Sequence, residues 1–193
     1  MRKEEKTEIT KEKLLAATEK LIKQGDDPFK VTSRQIAEAA EVQAAMINYC
    51  FGSRENLIYQ IFERDYKEAV TDPKVAEVIS SETLTPKEKL KALHFKIARF
   101  LIKEYKFTKA VTNFVVFKRD LSKEAFSLKY VREHFGGRKT EEECKLIAYE
   151  LSTMMQLIIY RKDDIRDGFG IDLNDDAQLK HYVDMRVDLL LGD

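Results

Sequence analysis

The side chains whose types and spacing point most clearly to chemistry lie between residues 32 and 57, and the chemistry is recognition rather than catalysis. Thr32 with Gln35 three residues on makes a capping box, which starts a helix. Ile36, Ala37 and Ala40 then give that helix one apolar face. Glu41-Val42-Gln43 reads as a turn, and a second short helix is predicted from about Ala44 to Cys50. Val42, Ile47 and Phe51 point inward as anchors, leaving Gln43, Ala44, Ala45, Met46, Asn48 and Tyr49 facing out. Small, amide and phenol side chains on an exposed helix allow close approach to another surface. Asn48 has the donor and acceptor pair to read an adenine edge, or to contact backbone, and alanine methyls pack on thymine methyls. This is the pattern of a helix-turn-helix whose second helix enters the DNA major groove. On spacing alone, a helical hairpin inside an ordinary bundle competes with it.

The elements around this stretch follow from the same kind of pattern. Ser53 is an N-cap for a fourth helix reaching about Val70, with Leu57, Ile58, Ile61 and Phe62 as its apolar stripe. Residues 73–81 fit a short helix, and Thr85-Pro86 marks the next start. Leu90, Leu93, Ile97, Phe100, Leu101 and Tyr105 recur at helical spacing. Ala110 to Phe117 is rich in β-branched residues but has no partner strand, so it reads as a buried helix. Phe126, Tyr130 and Phe135 are assigned to another helix, ended by Gly136-Gly137. Thr140 caps a long helix whose body, Leu146 to Tyr160, is apolar nearly all round and must be covered on two sides. Asp163 to Asp175 reads as a polar loop before a final helix carrying Leu179, Tyr182, Val183, Val187 and Leu190.

The string Thr32, Ile36, Ala37, Ala40, Val42, then Asn48, Tyr49, Phe51, Gly52, Ser53, Arg54, Glu55, Leu57, resembles the TetR family of bacterial transcriptional regulators in order and spacing. Leu14 to Ala17, Leu21-Ile22 and Gly25 match that family's first helix and its closing glycine, so the resemblance covers about residues 10–64. Three positions depart from it. Glu41 and Ala45 replace common glycines, and Cys50 replaces a common histidine or tyrosine. A left-handed backbone at Glu41 is strained for glutamate, so a distorted turn or another conformation is expected there.

The resemblance implies an all-α fold: an N-terminal three-helix head with a helix-turn-helix (residues 1–52), then a C-terminal helical ligand-binding and dimerisation core (residues 53–193) whose first helix is the connector. It implies a ligand-responsive repressor that releases a near-palindromic double-stranded operator on binding a small-molecule effector. The expected DNA contacts are Ala44, Ala45, Met46, Asn48 and Tyr49 at the bases, with Ser33, Tyr49 and Arg54 at phosphates. Arg34 ranks lower, because Glu38 stands four residues on and pairs with it at helical spacing. The last two long helices are the expected homodimer interface, with Ile158 and Leu190 as test positions; simple intrachain packing competes. The effector is expected among His94, Phe95, Asn113, Phe114, Phe117, Phe126, Tyr149 and Gln156, with Lys118 a further polar candidate. Aromatic lining predicts an apolar or aromatic compound and leaves its charge open.

Composition sets outer bounds. Residues 1–64 hold eleven basic and eleven acidic side chains, so no basic excess announces nucleic acid. A charged N-terminus without an apolar stretch predicts no secretory signal, and no hydrophobic run approaches a membrane span. Cys50 and Cys144 lie far apart and read as reduced thiols of a cytoplasmic protein. His94, His134 and His181 are scattered without metal-ligand spacing. No G-x-S-x-G, phosphate-binding glycine loop or dinucleotide fingerprint occurs. Hence no catalytic residue, cofactor or metal is expected. The competing functions are a helical small-molecule-binding protein with a degenerate DNA head, and a small helical enzyme using the aromatic cavity.

Overall fold

The computed structural model describes residues 3–25, 28–122 and 124–192, and these are all-helical. The helices are α1 (Lys3–Gln24), α2 (Ser33–Ala39), α3 (Ala45–Phe51), α4 (Arg54–Val70), α5 (Pro73–Ser80), α6 (Pro86–Lys103), α7 (Tyr105–Phe117), α8 (Leu128–Phe135), α9 (Glu141–Tyr160), α10 (Lys162–Phe169) and α11 (Asp176–Leu191). A short 3-10 turn spans Pro28–Lys30. No helix among the described residues is long and apolar enough to cross a membrane.

The chain divides into two compact units. The first comprises Met1–Tyr66 and Glu104–Lys118, the second Lys67–Lys103 and Arg119–Asp193. A break after Gly52 was expected; the division instead falls inside α4, and α7 joins the first unit. The apolar run expected from Leu90 to Tyr105 accordingly breaks at Glu104, between α6 and α7.

In the first unit, Leu14 and Ile22 of α1, Ile36 of α2, Ile47 of α3 and Leu57, Ile58 and Ile61 of α4 are fully buried. Each contributes about 1.5–3 kcal/mol relative to exposure. At the rim, Glu19 on α1 accepts from Arg64 on α4 at 2.8 Å and from Lys23 at 2.5 Å. Lys23 and Arg64 together hold the Glu19 carboxyl below its ordinary value. Lys106 of α7 donates to the carbonyls of Gly25 at 2.7 Å and Lys23 at 3.3 Å, placing a cation on the free carbonyl end of α1. Tyr59 of α4 and Phe114 of α7 pack with ring centroids 4.8 Å apart.

In the second unit, α6 packs against α5, α8, α9 and α11. Leu90, Leu93, Leu128, Val131, Phe135, Cys144, Ala148, Leu151 and Val187 form one buried cluster. Asp188 of α11 accepts from Lys87 and Lys91 of α6, at 2.8 and 2.7 Å. Thr140 caps α9 with a reciprocal bond from Glu143, as its spacing predicts. Gly136 ends α8 in the left-handed conformation at φ 53°. Two expectations fail here. Phe126 precedes α8 rather than lying on it. The predicted loop after Asp163 contains α10, which puts acidic Asp163 and Asp164 in its first turn and ends at left-handed Gly170. Polarity there marks an exposed helix, not a coil.

Candidate functional site

The capping box at the start of α2 is formed as the residue types require. Thr32 Oγ1 accepts from Gln35 N at 3.2 Å, and Gln35 Oε1 accepts from Thr32 N at 2.8 Å. Ile36, Ala37 and Ala40 are buried behind it. α2 ends in a Schellman arrangement: Val42 N donates to Ala37 O at 3.0 Å and Glu41 N to Glu38 O at 3.2 Å. That closure demands a left-handed residue at position 41, and Glu41 adopts it with φ 55°. The turn is therefore not redirected to another conformation; glutamate takes up the strained one.

α3 follows directly. Ile47 and Phe51 are buried and Val42 is half-buried, while Gln43, Ala44, Ala45, Asn48 and Tyr49 are exposed and Met46 is half-exposed. Tyr49 is 62 % exposed, a large aromatic with nothing over it. Gly52 closes α3 at φ 74°, a conformation that only glycine adopts freely. Ser53 Oγ then accepts from Asn56 N at 3.0 Å, and Asn56 Nδ2 donates back to Phe51 O at 2.8 Å, fixing α3 to the start of α4. The exposed face of α3 thus carries short side chains, one amide and one phenol, and no charge.

The two arginines expected nearby differ sharply. Arg54 was assigned to phosphate, but its guanidinium points into the unit: Nη1 donates to the carbonyls of Val31 and of Phe29, the latter at 3.4 Å, and Nε to Glu55 at 3.2 Å. Only 19 % of its side chain is exposed. It anchors the segment leading into α2. Arg34 is instead on the surface, its side chain 87 % exposed and paired with Glu38 at 2.8 Å. An exposed i, i+4 pair contributes only about 0.3–0.5 kcal/mol, so Arg34 is easily released to another anion. Ser33, half-exposed, begins α2.

The residues expected around an effector are divided between the two units. Asn113, Phe114, Phe117 and Lys118 belong to the first unit, and His94, Phe95, Phe126, Tyr149 and Gln156 to the second. Phe117 is 74 % exposed, Asn113 and Lys118 are also exposed, and Phe114 is occupied by Tyr59. In the second unit, His94 and Gln156 are buried and Phe95 is half-buried. The His94 ring lies 5.2 Å from that of Phe126, and burial pushes its pKa down to about 4. Tyr149 does line a cleft, of about 390 Å³, between the segment at 119–128 and the start of α9. The sequence reading missed Arg119, Leu121, Ala125 and Leu146, which line it too. Arg119, Leu121 and Ala125 sit in a segment with no helical period, so no pattern marked them, and the apolar run that begins at Leu146 gave no sign of a cleft.

α9 has apolar residues on both its buried and its exposed sides, as was expected of it, and α11 has them too. Cys144, Ala148, Leu151, Met155 and Ile159 of α9 face the core, as do Leu179, Val183, Val187 and Leu191 of α11. Leu146, Met154, Met185 and Leu189 are exposed. Of the two test positions, Leu190 packs against the core and Ile158 is half-buried, while Leu189 is the exposed leucine at this end of α11. No protein-family model and no curated protein matches this chain.

Proposed function

We propose that this chain is a DNA-binding transcriptional regulator, a homodimeric repressor that reads duplex DNA with α3 and releases it when a small molecule binds the second unit. The observation that carries the reading is the form of α2, turn and α3: a capped first helix, a tight turn, and a second helix that exposes Ala44, Ala45, Asn48 and Tyr49. A face of short side chains suits close approach to base edges, and Tyr49 suits a phosphate or sugar contact. Ser33 and Arg34 at the start of α2 supply the flanking phosphate contacts. The exposed apolar residues of α9 and α11 support a second copy, because two recognition helices must stand one DNA turn apart, or a multiple. α4 runs from one unit into the other and is the covalent path by which an effector would act on the head.

The test is a gel shift with DNA upstream of the gene, using wild type and Ala45→Phe. Ala45 is exposed, so the variant stays folded. Specific retardation by wild type alone supports the reading; equal retardation by both removes α3 from the interface. One observation favours a helical small-molecule-binding protein with a degenerate head: Arg54 is engaged inward and Arg34 is paired, so the head displays little committed positive charge. That alternative predicts no sequence-specific retardation at any salt concentration.

A further inference from the structure

The cleft beside α9 has a chemical character that narrows its ligand. Its walls are mainly aliphatic, from Leu121, Ala125, Leu128, Leu146 and Ala148. Its volume, about 390 Å³, lies at the lower end of the roughly 300–1,000 Å³ of small-molecule sites. The charged groups around it are unequally satisfied. Glu124 accepts from Arg132 at 2.9 Å, and Arg132 also bonds Glu141. Glu141 in turn pairs with Lys145 at 3.3 Å. This chain of alternating charges neutralises itself and ties the cleft wall to α8 and α9. It holds the Glu141 carboxyl down to about 2. Arg119 stands outside the chain. Its Nε is buried and has no hydrogen-bond partner among the described residues. A buried guanidinium nitrogen without an acceptor is destabilising until one is supplied.

We infer that the cleft binds an amphipathic monocarboxylate, its apolar body against Leu121, Leu128 and Leu146 and its carboxylate on Arg119. A planar carboxylate matches the guanidinium fork, and one uncompensated cation matches one negative charge rather than the two of a phosphate monoester. Ser122 and the Tyr149 hydroxyl are further donors at the cleft. The inference rests on the reading of the second unit as an effector module, but its test needs no DNA.

Calorimetric titration of the full chain with decanoate, decanol and decyl phosphate separates the possibilities. Decanoate should bind most tightly, and Arg119→Gln should weaken it by about tenfold or more while leaving decanol unchanged. Should Arg119→Gln not fold, Leu146→Asp serves instead: it sets a like charge on a side chain already 62 % exposed and should likewise exclude decanoate. Equal affinity for decanoate and decanol, preference for decyl phosphate, or decanoate binding indifferent to both substitutions would overturn the proposal. Decanoate binding that leaves operator affinity untouched supports the site and refutes only its role as effector.

Discussion

Arg54 carries a charge that the fold itself engages. It occupies a motif position associated with phosphate, yet its charge serves the carbonyls of Val31 and Phe29. Arg54→Ala should therefore destabilise the protein by about 1.5–3 kcal/mol, the contribution of hydrogen bonds to a charged group, and leave the salt dependence of DNA binding unchanged. Arg34→Ala should do the reverse: near-neutral in stability, with the slope of log K against log salt reduced by about one unit. Denaturant melts and a salt titration of both variants decide the matter; a reduced slope for Arg54→Ala would return it to the interface. Glu41 carries a related lesson. Its identity argued against a left-handed turn, but the Schellman closure of α2 imposes one, so Glu41→Gly should stabilise by about 1 kcal/mol and raise Tm by roughly 2–4 °C. No gain would mean that the strain is relieved elsewhere. His94 gives the pH dependence. Its folded pKa, about 4, lies below the ordinary 6.5, so between those values the unfolded chain binds the proton and the folded chain does not. Stability falls as pH drops through that window, by about 3 kcal/mol in all, and levels off below it. Glu141 acts lower, losing its contribution as pH falls from 4.5 to about 2. His94→Phe should flatten the upper decline in urea midpoints; an unchanged decline assigns it to other groups.

Among the elements, helices with a cap and a period were legible, and those without were not. Thr32-Gln35, Ser53, Thr140-Glu143 and Gly136 marked real boundaries because each satisfies otherwise free backbone groups. Ile36, Ile47, Phe51 and the α4 stripe are buried as their spacing required. α10 was missed because Ile165 and Phe169 are its only large apolar residues and none of its residues is buried, so its apolar stripe is too short to stand out from a loop. The aromatic residues were ambiguous for a different reason. Aromatic content signals burial in general but not which unit claims the side chain, and α7 closes on α1 and the 3-10 turn, taking Phe114 with it. The cleft's lining was illegible because half of it comes from a segment without a period. At this scale the proposed recognition surface is α3, whose exposed residues are separable from the core. Ala45→Phe and Asn48→Ala should each leave the urea midpoint within experimental scatter. Asn48→Ala should cost about 1–3 kcal/mol at an operator if the amide reads a base. Loss smaller than that, equal on all sequences, would assign Asn48 to the backbone.

For the whole molecule the account requires two copies. Leu189 is 69 % exposed on α11 whereas Leu190 packs inward, so the two adjacent substitutions should differ. Leu189→Glu should give a folded monomer, and Leu190→Glu should unfold the second unit. Sedimentation with circular dichroism distinguishes them, and a wild-type monomer at micromolar concentration would remove the interface. A monomer would also remove the mechanism, since one short helix reads too few base pairs to be specific. The central claim, that α3 reads DNA sequence, is tested most directly by selecting binders from a random duplex library with wild type and with Ala45→Phe. The account predicts that wild type enriches a near-palindromic motif whose half-sites lie one helical turn apart, or a multiple, and that Ala45→Phe enriches none. Enrichment of no motif by wild type, or of the same motif by both proteins, would contradict it.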